Sequence, residues 1–228
     1  MIDISKVYVA FTLGKQEEVV LKNVHLHIGQ GDSVAVVGRS GSGKSTLLNV
    51  MAGFIEPCKG SVHFLGNELK KEKQWTAFRQ ENAGFIFQHY ELISSLTAYE
   101  NIELPLKIRG MDRKERHEKV ERLLNELDIA HIQTHKPTEM SGGQKQRVSI
   151  ARAIIHEPDI LFADEPTGSL DSETEQQILA LLKELRHAKN MALVMITHSD
   201  RVASACDRIV RMNDGVLTQE RRSHYEAT

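Results

Sequence analysis

The run Gly38-Arg39-Ser40-Gly41-Ser42-Gly43-Lys44-Ser45 fits G-x-x-x-x-G-K-[ST] and constrains this chain more than any other stretch. Before it lies Ser33-Val34-Ala35-Val36-Val37, a continuous apolar run that reads as a strand buried on both faces. After it the pattern predicts a helix over 44–52. Glycines at these spacings let the backbone curl so that successive N–H groups point inward at phosphate oxygens. Lys44 supplies a point charge to the β- and γ-phosphates, and the Ser45 hydroxyl is a hard oxygen ligand for Mg²⁺. The helix aims its positive N-terminus at the same anion. Chance yields this pattern in roughly one chain of such length in a hundred. Its position between a buried strand and a helix raises it well above that background.

Strands and helices alternate around the loop. Short strands are expected at 7–11, 19–21, 24–28, 61–65 and 84–87. Buried strands are expected at 160–163 and 192–196, and a long amphipathic helix at 172–188, capped by Asp171 or Ser172. Asp214-Gly215 reads as a hairpin turn. From about 96 to 155 the pattern is helical instead. The charged run 113–124 reads as a solvated helix face, with Leu123, Leu124 and Leu127 as its apolar stripe. The alternation implies an α/β domain with a largely parallel core sheet and a helical subdomain inserted in it.

Composition removes several function classes. Among the 228 residues, 40% are apolar and 26% charged, which suits a packed core and argues against disorder. With 29 basic against 31 acidic side chains the formal net charge is −2, so the surface as a whole does not attract nucleic acid. Cys58 and Cys206 stand far apart without metal-ligand spacing, so neither a disulfide scaffold nor a zinc site is expected, and a reducing compartment fits. No stretch is long and apolar enough to span a bilayer, and the first residues lack a signal-peptide layout. The expectation is therefore a chain that serves a membrane, if at all, through a partner.

Two further motifs carry chemistry. The apolar run Ile160-Leu161-Phe162-Ala163 ends in Asp164-Glu165, adjacent acids that a core tolerates only beside a cation. Asp164 suits a second-sphere or water-mediated hold on Mg²⁺, and Glu165 suits a general base that polarises water. Ser141-Gly142-Gly143-Gln144 opens a helix just upstream and makes a second anion site. One nucleotide does not need two such sites. A head-to-tail dimer does, with the phosphate loop of one copy facing the Ser141 turn of the other.

With Gln88, Ser169-Leu170-Asp171 and Thr197-His198 in the same order, the whole chain resembles the ATPase subunit of ATP-binding-cassette (ABC) transporters. The nearer likeness is to macrolide-export, lipoprotein-release and antimicrobial-peptide-resistance ATPases. It rests on the phosphate loop extended through Thr46-Leu47-Leu48-Asn49, on Gly84-Phe85-Ile86-Phe87-Gln88, on the stretch from Leu96 to Leu106, and on Ala163-Asp164-Glu165-Pro166-Thr167-Gly168-Ser169-Leu170-Asp171. The resemblance implies a P-loop NTPase fold with a parallel core sheet, an N-terminal antiparallel β portion and an α-helical subdomain. Residues 1–88 and 156–228 would form the core and about 89–155 the helical part.

It also implies ATP and Mg²⁺ as ligands. Gly38, Arg39, Ser40, Gly41, Ser42, Gly43, Lys44, Ser45 and Thr46 would hold the nucleotide, with Ser141, Gly142, Gly143, Gln144 and Asp171 contributed across a homodimer formed on ATP binding. Ser45, Gln88 and Asp164 would serve Mg²⁺, and Glu165, His198 and Gln88 would act in hydrolysis. Phe11 aligns with the aromatic that stacks on adenine, usually Tyr, and nearby Tyr8 is its rival. Met140 stands where the family usually has Leu, a volume-conserving change.

The implied partner is an integral-membrane permease. Through it this chain would be cytoplasmic and held peripherally at the inner face of the cell membrane, and no nucleic acid is involved. A short cytoplasmic helix of the permease would dock on the segment 88–106, where Tyr90, Leu92, Ile93, Leu96 and Tyr99 supply apolar surface. A cell-division-type ATPase that signals without transport stays open beside an exporter or lipoprotein extractor. A soluble DNA-repair ATPase fits less well, because the segment between Lys44 and Ser141 carries no sustained heptads. Ribosome-acting relatives normally carry two cassettes in one chain, and a small-molecule kinase would not need the Ser141 turn.

Overall fold

The computed structural model describes residues 1–14 and 16–222. Two sheets are built from ten strands. β1 (Ile2–Leu13), β2 (Gln16–Ile28), β4 (Lys59–Phe64) and β5 (Asn67–Glu68) form an antiparallel sheet in the order β2-β1-β4-β5. The second sheet is six-stranded. It runs β10 (Val216–Arg222), β9 (Arg208–Asn213), β3 (Ser33–Val37), β8 (Ala192–Thr197), β7 (Ile160–Asp164), β6 (Ala83–Phe87). All its pairings are parallel except the β9–β10 hairpin, which turns at Asp214-Gly215 as expected.

The continuous apolar runs at 33–37, 160–163 and 192–196 exist because this sheet feeds a core on each face. On one face Ala35, Val37, Leu161, Ala163, Leu193 and Met195 pack with the helices. On the other Val34, Val36, Ile160, Phe162, Val194 and Ile196 pack with the antiparallel sheet and with α1 (Lys44–Met51). A strand with period two and two buried faces has no position for a polar residue until its end. The first polar side chains therefore fall at the strand tips, where Asp164 and Thr197 stand.

The helical segment holds α3 (Ala98–Ile108), α4 (Arg113–Glu126), two short 3₁₀ turns and α5 (Gly142–Ile154). Ile102, Leu106, Leu124 and Val148 bury their side chains in the same cluster as the underside of the six-stranded sheet. So does α6 (Ser172–Lys189), through Ile178, Leu182 and Leu185. Asp171, not Ser172, is its N-cap and accepts from the N–H groups of Glu173 and Thr174.

Three elements differ from expectation. The strands expected at 19–21 and 24–28 are one, β2, which passes through Asn23 in a left-handed conformation (φ 53°). The polar pair Lys22-Asn23 breaks the alternation that sequence reasoning relies on, while Asn is a residue that tolerates such a kink. α2 (Glu72–Glu81) was not expected, because only Trp75 and Phe78 of it are buried. α7 (Asp200–Ala203) is a single turn capped by Ser199, too short to leave a periodic signal.

Candidate active site

β3 ends at Val37 and α1 begins at Lys44, so the loop between them sits at the tip of a central strand. Two of its glycines are structurally required. Gly43 adopts φ 101°, a conformation that L side chains rarely take. Gly38 passes so close to β9 that a Cβ would lie 2.3 Å from the Met212 carbonyl oxygen. The β9–β10 turn in turn holds the loop, because the Gly215 N–H donates to the Ser42 carbonyl at 3.0 Å.

Lys44 is buried, and its ammonium group donates to the carbonyls of Gly38 and Arg39, each at 2.8 Å. The loop thus shapes a concave cradle of N–H groups with one cation folded against its wall. Ser42 Oγ is buried there without a hydrogen-bond partner among the described residues.

The loop forms one wall of a cleft of about 720 Å³. Ser40, Gly41, Gly43, Lys44, Ser45 and Thr46 line it from one side, and Gln88, Asp164, Glu165 and His198 from the other. These come from the tips of three adjacent parallel strands, β6, β7 and β8, which the register brings level: Phe87 pairs with Asp164, and Asp164 with Ile196. Burial pushes the Asp164 carboxyl up, and the neighbouring Glu165 charge adds to this. The Ser45 hydroxyl and the Lys44 charge oppose the rise without cancelling it. Asp164 is therefore a carboxylate whose charged form would gain from a further cation.

Glu165 follows β7 in a left-handed conformation (φ 46°), an uncommon choice for a residue with a Cβ. The turn aims its side chain back across the strand tips. One carboxylate oxygen, Oε1, lies 2.8 Å from His198 Nδ1, and the other accepts from the Thr197 hydroxyl at 3.1 Å. His198 itself is 70% exposed and free to turn toward a ligand in the cleft.

Ser141 to Gln144 do not line this cleft. They open α5, with Ser141 and Gln144 in a reciprocal capping box. The helix end packs beside the 168–171 turn: a Cβ on Gly142 would lie 3.2 Å from the Tyr90 hydroxyl and 3.3 Å from Leu170. That turn also touches the Gln88 side chain, which lies 3.0 Å from where a Gly168 Cβ would be. Phe11 is 40% exposed on β1, opposite Glu18 of β2, and does not line the cleft. It is not a core phenylalanine. Tyr8 pairs with Lys59 and does not line the cleft either, whereas Val20 does.

The family model for the ABC transporter matches residues 21–168, from β2 to the turn after β7. The chain belongs to the ABC transporter family. It is an ABC ATPase, converting ATP and water to ADP and phosphate. It is 47% identical over 223 residues to the ABC transporter ATP-binding protein YtrE of Bacillus subtilis, covering 95% of this chain and 96% of that one. It is also 41% identical over 222 residues to the macrolide export ATP-binding/permease protein MacB of Shewanella sp., covering 96% of this chain but 34% of MacB. The chain therefore spans about a third of MacB's length. Among solved structures it is similar to the dimeric post-hydrolysis state of the ATP-binding cassette MJ0796 bound to ADP and Pi. That match has a TM-score of 0.90 at 36% identity and covers 98% of this chain and 99% of that one.

Several features of this ABC ATPase left little trace in its sequence. The turn after β6 carries two successive left-handed residues, Tyr90 (φ 63°) and Glu91 (φ 47°), neither of them glycine. α5 holds this turn from below: Ser149 Oγ and Arg152 donate to the Tyr90 carbonyl, and Arg152 also to that of Glu91. Part of the docking segment expected at 88–106 packs inward. Leu92 and Tyr99 pack against the core beneath the sheet, and Tyr99 bonds His117. An apolar groove between the sheet and the helices is lined by Phe85, Phe87, Leu104, Pro105, Ile108 and Ala153, so the segment contributes to it through Leu104 and Pro105.

Proposed function

We propose that the chain is the ATP-driven motor subunit of a bacterial ABC transporter that exports or extracts a peptide, antibiotic or lipoprotein. Two copies close head to tail on ATP, and hydrolysis reopens them. The observation that carries this reading is the split site. The cleft is lined by Lys44, Asp164, Glu165 and His198 but not by the Ser141 helix end of the same copy. A second copy supplies it. Asp171 lies beside that helix end and would cross the same interface. The permease holds the subunit at the cytoplasmic face of the membrane. No helix among the described residues is long and apolar enough to cross a bilayer.

The donor set fits Mg²⁺. No group of three or more His, Cys, Asp or Glu side chains among the described residues could hold a metal. Mg²⁺ instead takes one or two protein oxygens together with substrate phosphates and waters. The Ser45 hydroxyl and the Gln88 amide oxygen would be such ligands, with the Asp164 carboxylate hydrogen-bonded to Ser45 behind them. When bound, the ion neutralises charge on the phosphate oxygens. This chain's own residues do the rest. Lys44 leaves its two carbonyls for the β- and γ-phosphates. Glu165 orients water and accepts its proton, and His198 turns to the γ-phosphate.

The split site predicts a dissociation of functions. Ser141→Arg puts bulk and like charge at the helix end. One copy should still bind ATP within about threefold of the unaltered affinity, but ATP should no longer yield a dimer by light scattering. Hydrolysis should fall about a hundredfold or more, the usual loss when a phosphate-facing donor is removed. A variant that still dimerises on ATP would sink the head-to-tail reading.

Phe11 is the second case. Its ring is exposed on the β1–β2 arm and would stack on adenine. Base stacking on an aromatic is worth about 1–3 kcal/mol, so Phe11→Ala should raise KM for ATP about tenfold with kcat little changed. GTP should be a usable substrate, because a ring reads either purine face. A defect in Tyr8→Ala instead would transfer the role to Tyr8.

A further inference from the structure

We propose that Thr197 is a positioning residue for hydrolysis: its buried hydroxyl fixes the Glu165 carboxylate in the orientation that presents one oxygen to water. The inference rests on the reading of Glu165 as the residue that orients and deprotonates water.

Glu165 has a long side chain on a turn with a left-handed backbone, so its direction is set by what holds its two oxygens. The two holders are unequal. His198 reaches Oε1 from the solvent side and is 70% exposed. A group that turns toward the γ-phosphate during the cycle cannot also be the fixed reference for the carboxylate. Thr197 is 1% exposed and ends β8, where it pairs with Val37 at the tip of β3. A β-branched residue in a central strand has a stiff χ1, so its hydroxyl oxygen does not wander.

The hydrogen of that hydroxyl is also assigned. The Ser199 N–H donates to Thr197 Oγ1 at 3.1 Å, which occupies the oxygen as an acceptor. The hydroxyl hydrogen is then directed at Glu165 Oε2, 3.1 Å away. Ser199 is itself fixed, since its side chain caps α7 by accepting from the Val202 N–H. The chain of contacts runs from the N-cap of a helix, through one buried hydroxyl, to one oxygen of the carboxylate. Oε1 is left to exchange between His198 and water. The arrangement thus divides the two oxygens between holding and chemistry, and the pairing of Val37 with Thr197 places the holder at the base of the phosphate loop.

The test uses the full chain and its ATP turnover. Thr197→Val keeps the shape and removes the hydroxyl. It should lower kcat about ten- to a hundredfold, the range expected when a reacting group is misplaced by about an ångström. KM for ATP should stay within about twofold, and ATP-bound dimer should accumulate. Thr197→Ser should restore kcat to within about threefold. In a Glu165→Gln background, Thr197→Val should cause no further loss, because residues acting as a unit are not additive. Thr197→Ala is read by the same criteria should the valine chain fail to fold. A kcat within twofold of the unaltered enzyme in the variant lacking the hydroxyl would overturn the proposal. So would an equal loss in Thr197→Ser, or a further loss of the same size on top of Glu165→Gln. Full activity in Glu165→Gln itself would instead remove the underlying reading of Glu165.

Discussion

Glu165→Gln should bind Mg-ATP with nearly unaltered affinity and stop turning over, leaving a stable dimer with two ATP molecules between its halves. The amide is the same size as the carboxylate and can still accept from the Thr197 hydroxyl, so the turn at φ 46° and the strand tips should be undisturbed. What it cannot do is take a proton from water. General base catalysis contributes about 10² to 10⁴ in rate, so turnover should fall by about a thousandfold. The parts proposed to bind the nucleotide, the phosphate loop and Lys44, are untouched by the change. Size-exclusion chromatography with light scattering should show one copy without nucleotide and two with ATP. Turnover at the normal rate would take Glu165 out of the mechanism.

The parts of this site that sequence reasoning reached are those whose chemistry is local. The phosphate loop is contiguous, lies between a buried strand and a helix, and needs its glycines where the backbone turns left-handed. Asp164-Glu165 stood out because two acids end a strand buried on both faces. What escaped is made by residues that meet only in space. Thr197 enters the sequence reading only as the residue before His198, and its own role shows only when its hydroxyl is seen 3.1 Å from Glu165 Oε2. Arg152 sits in a charged helix, and nothing nearby in sequence points to the Tyr90 and Glu91 carbonyls it holds. α2 carries a single apolar pair, Trp75 and Phe78, and so gives no helical stripe. The apolar groove failed for the same reason. Sequence reading favours a contiguous apolar stretch such as 88–106, which supplies Leu104 and Pro105, whereas the rest of the groove comes from β6, Ile108 at the end of α3 and Ala153 near the end of α5.

That groove makes the second large prediction. Ile108→Asp should abolish co-purification with the permease and transport-linked function while basal ATP hydrolysis by the free subunit stays within about twofold. Ile108 ends α3, is 66% exposed and lines a groove of about 390 Å³ with Phe85, Phe87, Leu104 and Pro105. Phe54 extends the apolar surface, 5.4 Å from Phe85 and beneath the Arg79 guanidinium. Exposed aromatic and aliphatic side chains concentrated in one concavity are the usual mark of an interface, and a charge buried at such a centre costs about 2 kcal/mol or more. The groove joins the sheet to the helical segment, and Phe87, the residue before Gln88, forms part of its wall. A permease helix seated there would therefore bear on the residue that reaches the nucleotide cleft. Ile93→Asp is the control. Ile93 is 42% exposed but lies outside the groove, held at its backbone by Asn101. It should leave co-purification intact. Loss of the permease in Ile93→Asp with retention in Ile108→Asp would move the docking surface out of the groove to the stretch around Ile93. Loss of basal hydrolysis in Ile108→Asp would mark that side chain as part of the fold and not of the interface.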